Sequence, residues 1–237
     1  MGYSYGPSIV KDGMVLCLDA GNRKSYDGSG TSWFDLTGNN KTGTLTNGPT
    51  FNSSNGGSIA FDRSNDYVVL TNSYSSLSLP VGSSSRTLIS WFKTGASIAG
   101  PYEHIIHYGS PIIDQSYGIT LYGSYISNHT WSGTSYFTDY AASANTIYFV
   151  AVTYNNSATP RNRFFVNGTF GTTGFSQGKS VDYSINTGTA SQLNLGTRVN
   201  PAEYFGGNIY FVQVYNRALS DSEIVQNYNA TKGRFGL

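Results

Sequence analysis

The chain has 237 residues and a formal net charge of +1, with 14 Lys and Arg against 13 Asp and Glu. Only 11% of the residues are charged, compared with about 25% in an ordinary soluble domain. Phe, Trp and Tyr make up 15%, which argues against disorder because disordered chains are poor in aromatic residues. Nucleic acid is excluded as the main partner, since neutralising phosphates requires a surplus of Lys and Arg on one surface.

Membrane insertion and a disulfide framework are also excluded. The longest apolar run, Ile147 to Val152, is far shorter than the roughly 18 residues of a spanning helix. The first residues, Met1–Pro7, lack the basic and apolar regions of a secretory signal, which predicts folding in the cytosol. Cys17 is the single cysteine and lies in an apolar run, so it is interpreted as a small buried hydrophobic residue. We expect one domain over residues 1–237.

Short apolar or alternating runs, broken by Gly, Asn, Ser and Pro, are typical of an antiparallel all-β domain. The predicted strands, in chain order, are Met14–Leu18, Ser58–Phe61, Tyr67–Leu70, Arg86–Lys93, His104–Tyr108, Gly118–Tyr122, Ile147–Tyr154, Arg163–Val166, Thr169–Gly171, Leu193–Gly196 and Asn208–Tyr215. The Ile147–Tyr154 run is apolar at odd and even positions, which predicts a central strand buried on both faces. Asn167-Gly168 supplies the two positive-φ positions of a type I′ turn and predicts a tight hairpin.

One helix is predicted near the C-terminus. Ser220 stands at the N-cap position and Glu223 three residues later, which is the pattern of a capping box. Leu219 and Ile224 flank this start as a hydrophobic staple, and Gly233 can end the helix. The remainder of the chain shows no comparable helical signal.

Four segments stand out in order along the chain. They are Gly13–Asn22 (GMVLCLDAGN), Ile59–Val68 (IAFDRSNDYV), Val166–Gly168 (VNG) and Gly207–Ile224, and together they bracket nearly the whole chain. This set resembles laminin-G-like domains of the concanavalin A-like lectin/glucanase superfamily. The resemblance implies an all-β, antiparallel jelly-roll β-sandwich with one short C-terminal helix. Arg63 stands where the family usually has Gly, which puts the shape of that turn in doubt.

The acidic residues argue against catalysis. Polysaccharide-cleaving enzymes of this superfamily carry Glu-x-Asp-x-Glu on one strand, and this chain lacks the pattern. Its only Glu residues are Glu103, Glu203 and Glu223, of which Glu223 belongs to the capping box. Glycoside hydrolysis needs two carboxyl groups about 5 to 9.5 Å apart, so we expect no enzymatic activity and keep a hydrolase as the least favoured alternative. His104 and His107 are expected on opposite faces of their strand because their spacing is odd, which makes them a poor metal pair.

No cofactor is expected apart from a structural calcium ion. Asp62, Asn65 and Asp66 place three oxygen-bearing side chains in one turn, and calcium prefers carboxylate, amide and backbone oxygens. Related lectin-like domains carry such ions. The alternative, which we favour, is that the Asp side chains hydrogen-bond their own turn.

Glycan-binding surfaces combine aromatic rings with hydrogen-bonding side chains. The candidate residues are Tyr125, Asn128, His129, Trp131 and Tyr136. Trp131 lies between Gly and Ser/Thr residues and is expected to be more exposed than Trp91, which lies in an apolar strand. The alternative is that Trp131 packs under a loop or against another subunit.

The leading functional hypothesis is a non-catalytic virion protein of a bacteriophage. Leu18–Asn22 and Asn227–Gly236 resemble the version of this domain that is common in tailed phages of aquatic bacteria. Without a shaft or coiled-coil region, the chain is interpreted as a capsid decoration protein that is assembled in the host cytoplasm and located in the virion. Its expected partners are capsid or other virion proteins, further copies of itself and a cell-surface glycan. The alternatives are a tail or fibre receptor-binding protein and a free carbohydrate-binding module.

Overall fold

Two antiparallel sheets form the fold. The computed structural model describes residues 7–71, 78–98, 100–131, 140–167, 169–170, 182–189, 192–198, 200 and 202–237. The strands are β1 Met14–Asp19, β2 Ser32–Phe34, β3 Thr42–Thr46, β4 Thr50–Asn52, β5 Ser58–Asp62, β6 Tyr67–Thr71, β7 Arg86–Thr94, β8 Glu103–Gly109, β9 Ser116–Tyr122, β10 Tyr125–His129, β11 Tyr140–Ala141, β12 Ile147–Tyr154, β13 Asn162–Val166, β14 Thr169–Phe170, β15 Gln192–Leu195 and β16 Gly206–Tyr215. Helix α1 spans Asp221–Thr231, and short 3-10 helices span Ser54–Gly56 and Lys232–Phe235.

The strand order defines two sheets of eight strands, termed sheet A and sheet B. Sheet A runs β14-β13-β12-β7-β16-β5-β4, and β1 also pairs with β16. Sheet B runs β11-β10-β9-β8-β15-β6-β3-β2. The two sheets and the single α-helix near the C-terminus confirm the predicted all-β sandwich among the described residues.

Each of the predicted strands corresponds to a strand of the structure, although Gly171 lies outside the described residues. Five strands were not predicted, namely β2, β3, β4, β10 and β11. These strands are two to five residues long and rich in Thr, Ser, Asn and Gly, so they lack the apolar runs from which strands were predicted. The omission of β10 matters for the site, because that strand carries three of the predicted glycan-binding residues.

The buried apolar residues in the described part of the chain form two clusters. The larger cluster lies between the sheets and includes Phe92 and Val150 of sheet A and Ile119 of sheet B. The smaller cluster covers the opposite face of sheet A and includes Trp91 and Phe149. Strand β12 therefore contributes alternate residues to both clusters, which confirms it as a central strand buried on both faces.

Helix α1 begins as predicted and lies against the smaller cluster. The Ser220 hydroxyl accepts a hydrogen bond from the Glu223 backbone N–H, and the Glu223 carboxylate accepts one from the Ser220 N–H at 2.8 Å. Hydrogen bonding by Arg217 lowers the pKa of Glu223 to about 2. Leu219 and Ile224 are both buried, as expected of a staple. None of the helices in the described part of the chain is long and apolar enough to cross a membrane.

Two turns adopt the left-handed conformation by different means. Asn167 has φ of 52°, in agreement with the predicted hairpin between β13 and β14, while Gly168 lies outside the described residues. Arg63 has φ of 67°, so it keeps the positive φ that Gly adopts readily. The Arg63 guanidinium bonds the Glu103 carboxylate at 2.5 Å. We infer that this ion pair offsets part of the backbone cost at Arg63.

Candidate functional site on sheet B

A β-bulge in β8 brings three histidines together on the outer face of sheet B. The pairing of β8 with β9 shifts after His104, so Ile105 is an extra residue in β8. This residue returns His107 to the face of His104, and Gly118 of β9 pairs with both His107 and His129. Nitrogen atoms of the three rings lie within 4.8 Å of one another. The prediction that His104 and His107 point to opposite faces is therefore wrong, because the bulge breaks the two-residue alternation.

The three rings, termed the histidine cluster, are buried and held in a defined orientation. His104 and His107 are fully buried, and His129 is 8% exposed. His104 Nδ1 lies 2.9 Å from the Thr120 hydroxyl, and its Nε2 lies 3.1 Å from Glu203. Burial is the main cause that lowers the pKa of all three imidazoles, and in His104 the bond to Glu203 partly opposes it. The rings are therefore expected to be neutral at neutral pH.

An ion pair lies beside the histidine cluster. The Glu203 carboxylate lies 3.3 Å from Arg198 Nε, and its pKa is lowered mainly by the hydrogen bond to His104. The Arg198 guanidinium lies 4.8 Å from the centre of the Trp131 ring, within cation–π range. Glu203 thus links the buried imidazole of His104 to the cation that contacts Trp131.

Aromatic rings extend from the histidine cluster toward solvent. Tyr122 and Tyr125 are paired across the β9–β10 hairpin, so they share one face of the sheet, and each is 42% exposed. The Tyr102 ring lies 4.7 Å from that of Tyr122 and 5.8 Å from that of His129. Trp131 lies 5.8 Å from His129. The four rings of Tyr102, Tyr122, Tyr125 and Trp131 are termed the aromatic surface.

The structure divides the predicted glycan-binding residues. Tyr125 and Trp131 belong to the aromatic surface, and Trp131 is half-buried whereas Trp91 is buried, as expected. His129 belongs to the histidine cluster beneath. Tyr136 lies outside the described residues.

Asn128 is the exception among the candidates. It lies on the core side of β10, where its amide donates to the Gly118 carbonyl and accepts from the Tyr183 hydroxyl at 2.5 Å. Because Asn128 is only 4% exposed and its polar atoms are bonded inside the sandwich, it is not available to an external sugar. Asn128 and His129 are neighbours in β10, and strand alternation turns them to opposite faces of sheet B.

The two Glu residues outside the capping box are both engaged. Glu103 is buried, contacts Arg63 and accepts a hydrogen bond from the Gly206 N–H at 3.0 Å. Burial raises the pKa of Glu103, and the bonds from Gly206 and Arg63 oppose that rise. Glu203 is held by His104 and Arg198. These contacts engage both carboxylates in ion pairs or hydrogen bonds within the protein.

The acidic turn at Asp62, Asn65 and Asp66 forms hydrogen bonds within itself, which is the favoured alternative to a calcium site. Asp62 Oδ1 accepts hydrogen bonds from the backbone N–H groups of Ser64, Asn65 and Asp66, at 2.7 to 3.4 Å. Asp66 is buried, and its Oδ2 accepts from the Asp62 N–H at 3.1 Å. Backbone hydrogen bonds lower the pKa of Asp62, whereas burial raises that of Asp66. Because these carboxylate oxygens accept hydrogen bonds from backbone N–H groups, the geometry favours the self-bonded turn over a calcium site, and calcium binding stays a prediction.

Cys17 has no features of a nucleophile. It is buried in β1, as predicted, and burial raises the pKa of its thiol to about 12. A thiol with that pKa is protonated at neutral pH and therefore unreactive.

Four residues of the site were not predicted, namely Tyr102, Tyr122, Arg198 and Glu203. The sequence Tyr122-Gly-Ser-Tyr125 does predict that the two tyrosines pair. Gly-Ser between two residues of high β-propensity is typical of a two-residue hairpin. Arg198 and Glu203 follow β15, and no local pattern connects them to β8 or β10.

Two packed antiparallel sheets with an aromatic outer face define a lectin-like β-sandwich. The chain belongs to the concanavalin A-like lectin/glucanases superfamily, since the Laminin_G_3 family model matches residues 61–225. No curated protein sequence matches the chain at a significant level.

Solved structures support the same fold. The chain is similar to a Trypanosoma rangeli sialidase in complex with sialic acid, with 15% identity, a TM-score of 0.64, and coverage of 98% of this chain and 36% of the sialidase. It is also similar to the binding domain of botulinum neurotoxin DC in complex with rat synaptotagmin II (13% identity, TM-score 0.65, coverage 94% and 52%). Another similar structure is the botulinum neurotoxin serotype D ligand-binding domain in complex with N-acetylneuraminic acid, with 14% identity, a TM-score of 0.63, and coverage of 92% of this chain and 51% of the toxin domain. The chain thus spans between a third and about half of these proteins.

Proposed function

We propose that this chain is a non-catalytic recognition module that binds a saccharide on the aromatic surface of sheet B. The observation that carries the proposal is the pair Tyr122 and Tyr125, which lie on one face and are each 42% exposed. A tyrosine ring offers an apolar face to the C–H groups of a sugar and a hydroxyl group for hydrogen bonding. Tyr102 packs against Tyr122 and supports its ring.

Composition and fold support this ligand class. With 11% charged residues and a net charge of +1, the chain has few charged groups, so contacts to a saccharide are expected to come mainly from aromatic rings and uncharged hydrogen-bonding groups. Two of the similar structures were solved with sialic acid or N-acetylneuraminic acid. Their shared fold with this chain is compatible with saccharide recognition, although each of those proteins is about twice as long or longer.

The assignment as non-catalytic is supported by the carboxylates. A general acid requires a carboxyl group that can reach the glycosidic oxygen. Glu103 is buried and bonded by Arg63 and Gly206, and Glu223 caps α1. Glu203 is 35% exposed in its side chain, but its carboxylate is paired with His104 and Arg198.

Replacing Tyr125 with Ala is expected to weaken saccharide binding about tenfold, because one half of the exposed aromatic pair is removed. A glycan array identifies a ligand for the wild-type chain, and titration calorimetry then compares the variants. The control is Tyr140→Ala, since Tyr140 is 41% exposed but pairs with Ile126, on the other face of β10. Equal losses in both variants, or no binding by the wild type at millimolar saccharide, would contradict the proposal.

We further propose that the module acts in a bacteriophage particle, as a capsid decoration protein that contacts capsid or other virion proteins. This proposal rests on the resemblance of two chain segments to a phage type of the domain, and these segments meet in the fold. Arg234 Nη1 lies 2.6 Å from Asp19, and Arg234 Nε donates to the Asn55 carbonyl at 2.7 Å. The two phage-like segments are therefore in direct contact through Arg234 and Asp19. The alternative is that the chain is a receptor-binding protein of the phage tail or fibre.

The virion proposal predicts that the polypeptide copurifies with phage particles in many copies. Mass spectrometry of purified particles, followed by cryo-electron microscopy, measures its presence and position. Density on the capsid exterior is the expected result. Density on the tail would move the assignment to a receptor-binding protein, and absence from the particles would overturn it.

A further inference from the structure

We propose that the histidine cluster of sheet B binds one divalent first-row transition metal ion, such as zinc, through His104, His107 and His129. This site is separate from the turn at Asp62 and does not depend on saccharide binding. Imidazole is a common ligand for zinc, and three protein ligands leave a fourth position for water.

The spacing of the rings suits such an ion. The ligand nitrogens lie within 4.8 Å of one another, and the ring centres are 4.9 to 5.3 Å apart. Zinc–nitrogen bonds of about 2.0–2.1 Å in a tetrahedral site place the nitrogens about 3.4 Å apart. His104 and His107 lie on β8 and His129 on β10, and both strands pair with β9, so metal binding requires the three rings to move closer together by about 1 Å on one sheet face.

Gly118 opens space between two of the ligands. It pairs with His107 on one side and with His129 on the other, so a side chain at this position would stand between them. A Cβ atom at position 118 would lie 2.5 Å from the Ile106 carbonyl oxygen and 3.3 Å from Cδ2 of His107. Glycine at this position therefore permits the close approach of β8 and β9 and leaves room beside the His107 ring.

Two side chains hold His104 in a fixed orientation, as hydrogen-bond partners commonly hold an imidazole that binds a metal ion. Its ring is held between Thr120 and Glu203, at 2.9 and 3.1 Å. A metal ion bound at Nδ1 would replace the Thr120 contact, and Glu203 would remain on Nε2 as the hydrogen-bond partner that metal-bound histidines have at their second nitrogen. The negative charge of Glu203 also balances the neighbouring Arg198.

The chain contains only three histidines, so an untagged preparation reports on this cluster without interference. After chelator treatment, the folded chain is titrated with zinc chloride by calorimetry, and bound metal is counted by mass spectrometry. We expect one equivalent per chain. His129→Asn should weaken zinc binding at least 100-fold. Asp62→Asn, which alters the acidic turn, should leave the number of zinc ions bound per chain unchanged.

Glu203→Gln provides a second variant that keeps all three ligands, and Glu203 is 35% exposed in its side chain, so the fold should tolerate it. It should weaken zinc binding about 10- to 100-fold by loosening His104. If circular dichroism shows that His129→Asn is unfolded, the zinc affinity of Glu203→Gln decides the test. Failure of the folded wild-type chain to retain zinc, cobalt or nickel would overturn the proposal, as would unchanged affinity in both variants.

Discussion

Replacing Trp91 with Ala is expected to lower the free energy of unfolding by about 3–5 kcal/mol, the usual cost of truncating a fully buried large aromatic side chain. Trp91 is 0% exposed and lies at the centre of the smaller apolar cluster. Its ring stacks on Phe235 at 4.2 Å and contacts Phe149 at 5.3 Å and Tyr228 at 5.8 Å. Its indole N–H donates to the Thr231 hydroxyl at 2.8 Å. The substitution therefore removes several of the contacts between α1, the 3-10 helix that follows it and sheet A.

Urea denaturation followed by circular dichroism measures this loss, since the signal does not rely on tryptophan fluorescence. Trp131→Ala is the matched control, because the same atoms are removed from a half-buried position and the loss should be less than half as large. Hydrogen exchange should show the amides of α1 losing protection in Trp91→Ala. A loss below about 1 kcal/mol, or equal losses in both variants, would mean that the helix is held by other contacts.

Arg86→Met is expected to destabilise the chain by about 3–5 kcal/mol, because several polar partners lose their donor inside the protein. Arg86 is 0% exposed, and its guanidinium donates to backbone carbonyls and to hydroxyl groups. The acceptors are the carbonyls of Pro80, Gly82 and Ser84, the Tyr108 hydroxyl and the Thr187 hydroxyl, at 2.6 to 3.1 Å. Methionine keeps much of the aliphatic stem and supplies none of these bonds.

The control for this prediction is Arg161→Met, which breaks an ion pair with Asp182 in which both side chains are about a third exposed. That change should cost about 0–1 kcal/mol. Arg86→Lys should fall between the two, because ammonium keeps the charge but cannot reach acceptors on several sides at once. If the Met variant does not accumulate as folded protein, the urea midpoint of Arg86→Lys decides. A midpoint equal to that of wild type would contradict the role assigned to the guanidinium.

The parts of the fold that the sequence predicts well are those with strong local patterns. Strand β12 has apolar residues on both faces, and α1 begins with Ser220 and Glu223 in capping-box spacing. Strands such as β4 and β11 contain two or three residues, and their pairing is decided by neighbours far away in the chain. Local propensity carries little information about such strands.

The candidate site was predictable only in part. Tyr125, His129 and Trp131 were identified from residue type, and they lie close together on the outer face of sheet B or at its edge. His104 and His107 were assigned to opposite faces because regular alternation was assumed. Glu203 follows a different strand, and its contact with His104 depends on tertiary structure alone.

The extra residue in β8 also affects how this chain should be aligned with its relatives. A relative that has the same histidines but lacks one residue between them would direct one of the rings into the sandwich interior, whatever its overall similarity. The histidine cluster is therefore encoded by the length of the interval from His104 to His107 as much as by the residues themselves. An insertion or deletion at Ile105 would create or abolish it in a single step, without any substitution at the histidines.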